Sequence, residues 1–256
     1  MEEKKKKSGK KHAALPWLIL LLLAAVAGLL VWRGVLWANM PSLRRYPVRG
    51  VDVSHYQGSI DWTKIASQKI RFAFIKATEG SGTKDECFAE NWKNARAAGI
   101  YAGAYHFFSF ESAAETQADN FISAVPDDDN ALPPVIDLEY YKGGNPPDAV
   151  TLRESLRTML TRMRKAYGKR PIIYTTSACY DAYLKGSDLD YTLWMRSVYT
   201  APGGEPAEKW SFWQYHPYAM LDGYTGGTDR IDLNVYRGTM EMFTREFDLK
   251  PIVRPQ

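Results

Sequence analysis

The chain has 256 residues, 45% of them hydrophobic and 13% aromatic, with a formal net charge of +4, which suits one large globular domain with a sizeable core. Six Lys and two Glu fall within residues 1–12, so the rest of the chain is electrically balanced and the basic excess gives no reason to invoke nucleic acid. Cys87 and Cys179 are the only cysteines and form no CxxC or Cys/His cluster, which argues against a zinc site and leaves open one disulfide or two buried thiols.

Residues 1–12 read as a basic cytoplasmic tail. Residues 13–32, AALPWLILLLLAAVAGLLVW, carry no charge, and about 20 apolar residues are what a bilayer-spanning helix needs. Lys-rich sequence ahead of the segment keeps that side in the cytoplasm and sends the bulk of the chain across the membrane. Trp17, Trp32 and Trp37 suit the interfacial belts. Ala25-Val26-Ala27 resembles a signal-peptide cleavage site, but Gly28 to Trp32 prolong the apolar run past it, so an uncleaved anchor is favoured. Residues 33–48 read as a linker, 49–248 as the folded domain and 249–256 as a C-terminal tail.

Within the domain, short apolar runs alternate with helical patterns. Val51–Val53 predicts a first strand, Ser59–Ser67 a short helix and Arg71–Ala77 a second strand. Asp85–Ala98 predicts a helix closed by Gly99. Ile100–Phe108 predicts a third strand, and Ser112–Val125 a helix with Ser112 and Glu115 spaced as a capping box. A fourth strand spans Pro134–Glu139, a long helix Asp148–Tyr167, a fifth strand Arg170–Thr175 and a short helix Ser177–Leu184. Strands at Thr192–Met195, Ser211–Tyr215 and Ile231–Val235 and a helix over Thr239–Phe247 finish the domain. Eight strands, the early ones separated by helices, predict a closed α/β barrel.

In such barrels function gathers where strands run out into the following loops, and polar residues fall there: Asp52, Lys76, His106, Asp137, Glu139, Tyr174, Trp194, Gln214 and Asp232. The centre is Val135-Ile136-Asp137-Leu138-Glu139. Side chains alternate with period two, so Asp137 and Glu139 share a face. Crowding two buried carboxylates is costly unless one takes a proton or both find partners, an arrangement suited to an acid held protonated beside an anion.

With these residues in hand, the chain resembles the glycoside hydrolase family 25 lysozymes, the Chalaropsis-type muramidases. The matching strings are Gly50-Val51-Asp52-Val53-Ser54-His55-Tyr56-Gln57-Gly58, Phe74-Ile75-Lys76-Ala77-Thr78-Glu79-Gly80, Gly103-Ala104-Tyr105-His106-Phe107, Pro134-Val135-Ile136-Asp137-Leu138-Glu139, Ile173-Tyr174-Thr175, Leu193-Trp194, Trp213-Gln214-Tyr215 and Ile231-Asp232-Leu233-Asn234. The resemblance implies an irregular TIM-like barrel, (β/α)5(β)3, and hydrolysis of the β-1,4 bond between N-acetylmuramic acid and N-acetylglucosamine in peptidoglycan. It departs after Leu193-Trp194, where the family carries an apolar residue and Ala but this chain has Met195-Arg196, which bears on substrate preference rather than on the chemistry.

Glycosidic cleavage needs an acid for the leaving oxygen and a second group for the oxocarbenium charge. The resemblance makes Glu139 the general acid. Asp137 either attacks the anomeric carbon or holds the substrate's N-acetyl group while that group attacks, and the N-acetyl sugars favour the second. Asp52 and Asp232 serve sugar hydroxyls or tune the central pair. Tyr105, Tyr174, Trp194 and Gln214 line the groove, aromatics offering flat faces to sugar rings. Lys76 touches substrate or pairs with Glu79. His106 reads as a satisfied core histidine, His55 as packed in the first loop, and Trp62, Trp92, Phe72 and Phe121 as core. No cofactor and no metal are expected. The partners are glycan strands and, through residues 13–32, the bacterial cytoplasmic membrane; the chain is read as a monomer. A catalytically dead binding barrel and a metal-dependent hydrolase are the competing readings.

Overall fold

The computed structural model of the chain describes residues 11–33 and 37–252. Most of the expected basic tail, together with residues 34–36 and 253–256, lies outside them. Two compact units divide after Ala38. The first contains helix α1 (Lys11–Trp32). Its segment Leu15–Trp32 has a mean hydropathy of 2.5 and none of it is buried, so it is a helix long and apolar enough to cross a bilayer.

The second unit is an eight-stranded closed barrel. Its strands are β1 (Arg49–Val53), β2 (Ile70–Glu79), β4 (Tyr101–Phe107), β5 (Val135–Leu138), β6 (Ile172–Thr176), β7 (Thr192–Arg196), β8 (Trp210–Ala219) and β9 (Ile231–Tyr236); a two-residue β3 (Thr83–Lys84) hairpins onto the end of β2 outside the ring. The order β1-β9-β8-β7-β6-β5-β4-β2 closes through a parallel β1–β2 pairing. Neighbours are parallel except at β9, which runs antiparallel to both β8 and β1. Helices α2 (Trp62–Ser67), α3 (Phe88–Ala97), α4 (Ala114–Ala124), α5 (Ala149–Tyr167) and α6 (Ser177–Cys179) follow the first five barrel strands. Only the four-residue α7 (Pro206–Lys209) interrupts the last three, and α8 (Met240–Glu246) ends the domain. The expected five βα units and three strands are thus present.

Period-two alternation sorts the side chains into two cores. Outward-facing Val51, Ile75, Ile136, Ile173 and Leu193 pack beneath the helices. Helix α5 meets them with Leu152, Leu156, Met159, Leu160 and Met163, spaced for one helical face. Asp148 caps that helix by accepting from the Val150 and Thr151 amides at 2.9 and 3.1 Å, and Gly168 ends it in the left-handed conformation. Inward-facing Phe72, Phe74, Ile172, Trp194, Phe212 and Tyr236 fill the lower barrel, with Phe243 of α8 and Phe247 closing its floor. The aromatic filling needs room from its neighbours. A Cβ on Gly50 would sit 2.3 Å from the Phe72 ring, and one on Gly103 would sit 2.7 Å from the Phe74 ring. Gly50→Ala should therefore overpack the interior, at a cost of about 1–3 kcal/mol. For a domain of this size that lowers the melting temperature by several degrees, which a thermal melt followed by circular dichroism reads directly.

The structure corrects three local expectations. The helix expected from Asp85 starts at Phe88, because the Asp85 carboxylate is engaged with the His55 amide, the His55 ring and the Cys87 amide. The capping box at Ser112 does not form. Ala113 precedes α4 without a side-chain cap, because the Gln117 amide donates to the Ser109 and Ser112 carbonyls and holds that turn open. The helix expected over Ser177–Leu184 passes after Cys179 into a π-helical turn, Tyr180–Leu184. The two thiols are unpaired, Cys179 buried and Cys87 half-buried. Part of the stretch read as a linker packs on the barrel: Val48 is buried, Tyr46 meets Trp210 at a tilt and Trp213 edge-on, and Asn39 donates to the Ser197 and Thr200 carbonyls, each at 2.9 Å.

Candidate active site

Above the aromatic filling the inward positions turn polar, and they surround a cavity of about 230 Å³ at the C-terminal ends of the parallel strands. All nine residues singled out from the sequence line it: Asp52, Lys76, Tyr105, Asp137, Glu139, Tyr174, Trp194, Gln214 and Asp232. They come from β1, β2, β4, the end of β5, β6, β7, β8 and β9, so ring closure, rather than any local motif, brings them together.

One hydrogen-bonded network organises the wall. Asp52 faces Asp232 directly across the β1–β9 ladder. The Gln214 amide donates to both Asp52 carboxylate oxygens at 3.0 Å and to Asp232 at 3.3 Å. Gln214 in turn accepts from the Tyr174 hydroxyl at 2.9 Å. Asn234 donates to Asp52 at 2.6 Å and accepts from the Trp194 indole at 2.9 Å. Trp194 is fixed by stacking on Phe74, with ring centroids 4.4 Å apart. Each polar group therefore has a set orientation before substrate arrives.

The acids differ in depth and partners. Asp137 is buried, and its Oδ1 has no hydrogen-bond partner. Burial first, then the charges of Glu139 and Asp52, push its carboxyl well above the usual range. Glu139, just past the end of β5 and half-buried, is raised by burial, with the Arg196 charge pulling it back and Asp52 adding to the rise. Burial thus raises both neighbouring acids, and two like charges this close oppose one another's ionisation. Asp232 is held well above its ordinary value by burial, by the Asp52 charge and by a hydrogen bond to Asp52. Asp52 is raised by burial against the stabilising bonds from Asn234 and Gln214. Tyr105 and Tyr174 are kept protonated by burial and by the surrounding carboxylates.

Other expectations resolve at the margins. Lys76 both lines the cavity and pairs with Glu79 at 2.6 Å, its ammonium 5.1 Å from the centre of the Phe107 ring. His106 is fully buried between Thr78 at 2.7 Å and Gln117 at 3.0 Å, and burial lowers its pKa to about 4, so it is a neutral core residue. His55 is half-exposed and bonded to Asp85 at 2.8 Å. Trp62, Trp92, Phe72 and Phe121 are core. Among the described residues no three of His, Cys, Asp or Glu are arranged to hold a metal ion.

The sequence reading passed over Ser54, Tyr56, Gln57 and Phe107, which also line the cavity, and Asn234, which holds Asp52. All five stood inside the quoted strings. For Ser54 and Gln57 the signal is the short 3-10 turn His55–Gln57, in which they cap one another.

Residues 51–224 match the glycosyl hydrolases family 25. The chain belongs to that family. A family 25 glycosyl hydrolase from Bacillus anthracis superposes on it with a TM-score of 0.75 at 46% identity, covering 81% of this chain and 96% of that one. Lysozyme M1 of Streptomyces globisporus is 37% identical over 205 residues, covering 73% of this chain and 68% of the relative. The N,O-diacetylmuramidase of Chalaropsis is 30% identical over 186 residues, covering 65% and 87% respectively. This family 25 chain is accordingly a glycoside hydrolase of the lysozyme type, the enzyme class that cleaves peptidoglycan.

Proposed function

We propose that the chain is a muramidase anchored in the bacterial cytoplasmic membrane by residues 13–32, hydrolysing the β-1,4 bond between N-acetylmuramic acid and N-acetylglucosamine outside the cytoplasm. The observation that carries this reading is the convergence of Asp52, Asp137, Glu139 and Asp232 on one sugar-sized cavity. Glu139 gives its proton to the leaving N-acetylglucosamine oxygen. Asp137 holds the muramyl N-acetyl group, whose oxygen attacks the anomeric carbon. Water then opens that intermediate and leaves a reducing muramic acid end.

Two neighbouring carboxyls, both raised by burial, share one proton in the empty cleft. An acetamide N–H seated against Asp137 favours its ionised form, and the proton passes to Glu139 as substrate binds. Asp232 keeps its own proton and donates to Asp52, which remains the fixed anion beneath the developing oxocarbenium charge. No cofactor enters the reaction, and one chain supplies the whole site.

Mass spectrometry of muropeptides released by the full-length protein in detergent tests the bond. The expected products end in reducing muramic acid. Reducing glucosamine ends, or anhydro ends, would exclude the assignment. A catalytically dead binding barrel would release nothing. Resistance of the protein to carbonate extraction from membranes tests the anchor.

A further inference from the structure

Arg196 is the last residue of β7, two positions beyond Trp194 and on the same face of the strand. That places its stem at the rim directly above the cavity floor. Its backbone is held in register between Thr176 of β6 and Gln214 of β8. The loop that follows is pinned: the Ser197 amide donates to the Gln214 carbonyl at 3.0 Å, and the Trp213 indole donates to the Ser197 carbonyl at 2.8 Å. Asn39 bonds both ends of the turn at Ser197 and Thr200. The guanidinium is therefore carried on a rigid mount.

Its charge is felt by all four acids of the cavity. Nevertheless no described carboxylate lies within ion-pair distance of it, whereas Lys76, the other cation of the mouth, is committed to Glu79. Arg157, Arg162 and Arg164 on the outer surface are likewise paired with Asp188, Asp119 and Asp190. Arg196 thus presents a half-buried fork of N–H donors with no ion-pair partner among the described residues, in the geometry that grips a carboxylate with two bonds.

The sugars of the glycan strand are uncharged. The anionic groups of peptidoglycan are the carboxylates of the stem peptides carried on each muramyl lactyl branch. With a muramyl unit seated over Asp137 and Glu139, that branch leaves the cavity across the rim. We infer that Arg196 is a specificity-determining residue that binds a stem-peptide carboxylate, so the enzyme selects glycan whose stem peptides carry free carboxylates over glycan whose stem peptides are amidated. This rests on the muramidase reading above.

The test compares full-length wild type, Arg196→Gln and Arg196→Lys in detergent on two substrates: peptidoglycan whose stem-peptide carboxylates are free, and the same peptidoglycan with those carboxylates converted to primary amides, which leaves every lactyl carboxyl tied up as an amide in both. Wild type is expected to prefer the substrate with free carboxylates in kcat/KM. In Arg196→Gln that preference should fall by roughly 10–100-fold, the scale of a charge-assisted bond, and the change should lie in KM. Arg196→Lys should retain part of it. An unchanged preference ratio would overturn the inference. So would an equal loss on both substrates accompanied by a displaced pH profile of kcat, since Arg196 would then act only by tuning the acids. Failure of wild type to cut either substrate would instead remove the muramidase reading on which the inference stands.

Discussion

Glu139→Gln should leave the full-length protein folded and able to bind peptidoglycan while lowering kcat for glycan hydrolysis by about 10²–10⁴-fold, the range over which a positioned general acid contributes. The amide preserves size and hydrogen-bonding reach but has no proton to deliver to the leaving oxygen. The loss should therefore fall on kcat with KM little changed. The pH profile adds a second signature. Burial raises the Glu139 carboxyl above its ordinary range, so the protonated form persists further toward neutrality and is lost as pH rises through the raised value. Wild-type kcat should fall along that alkaline limb, and the residual activity of Glu139→Gln should not. Release of reducing ends by the variant at the wild-type rate would remove Glu139 from the chemistry.

Asp137→Asn should have two opposite effects. Hydrolysis should fall by about 10²–10³-fold, the scale seen when one preorganised electrostatic group is removed from a transition state. Stability at neutral pH should rise, because Asp137 is buried with an unpartnered oxygen. The folded-state pKa is raised above the unfolded value of about 3.9 by burial, then by Glu139 and Asp52. Such a group favours folding fully below the unfolded pKa, and that contribution is lost as pH rises toward and through the folded value. An asparagine does not titrate, so the variant's advantage should be near zero around pH 4 and grow toward pH 7–8. A gain on the order of 1 kcal/mol there raises the melting temperature by ~2–4 °C. Thermal melts of both proteins across that pH range decide the matter. A melting-temperature gap that is largest at acid pH, or reversed in sign, would show that burial of this carboxylate is not what strains the site. Stability gained together with activity lost is the expected mark of an acid retained for chemistry.

The comparison between sequence and structure divides along one physical line. Strand alternation is a property of the local backbone. From it the sequence alone determined that Asp137 and Glu139 share a face, while the run of strands separated by helices marked the barrel and its strand ends. Local reading failed where a side chain reached back out of its own element, as when Gln117 of α4 tied the turn before it, or where a distant one intervened, as when Asp85 turned back to His55 across 30 residues.

What holds these acids above their ordinary pKa was beyond the sequence. That depends on depth of burial and on charges brought together by ring closure: the Gln214 amide that orients Asp52 is 162 positions away in the chain, and Asp232 meets Asp52 only because β9 pairs with β1. The sequence could mark Arg196 as unusual. Only the tertiary structure decided that it stands above Trp194 with no ion-pair partner among the described residues, because electrostatic partnership is set by distance in space, which closure of the barrel fixes and the order of residues along the chain does not.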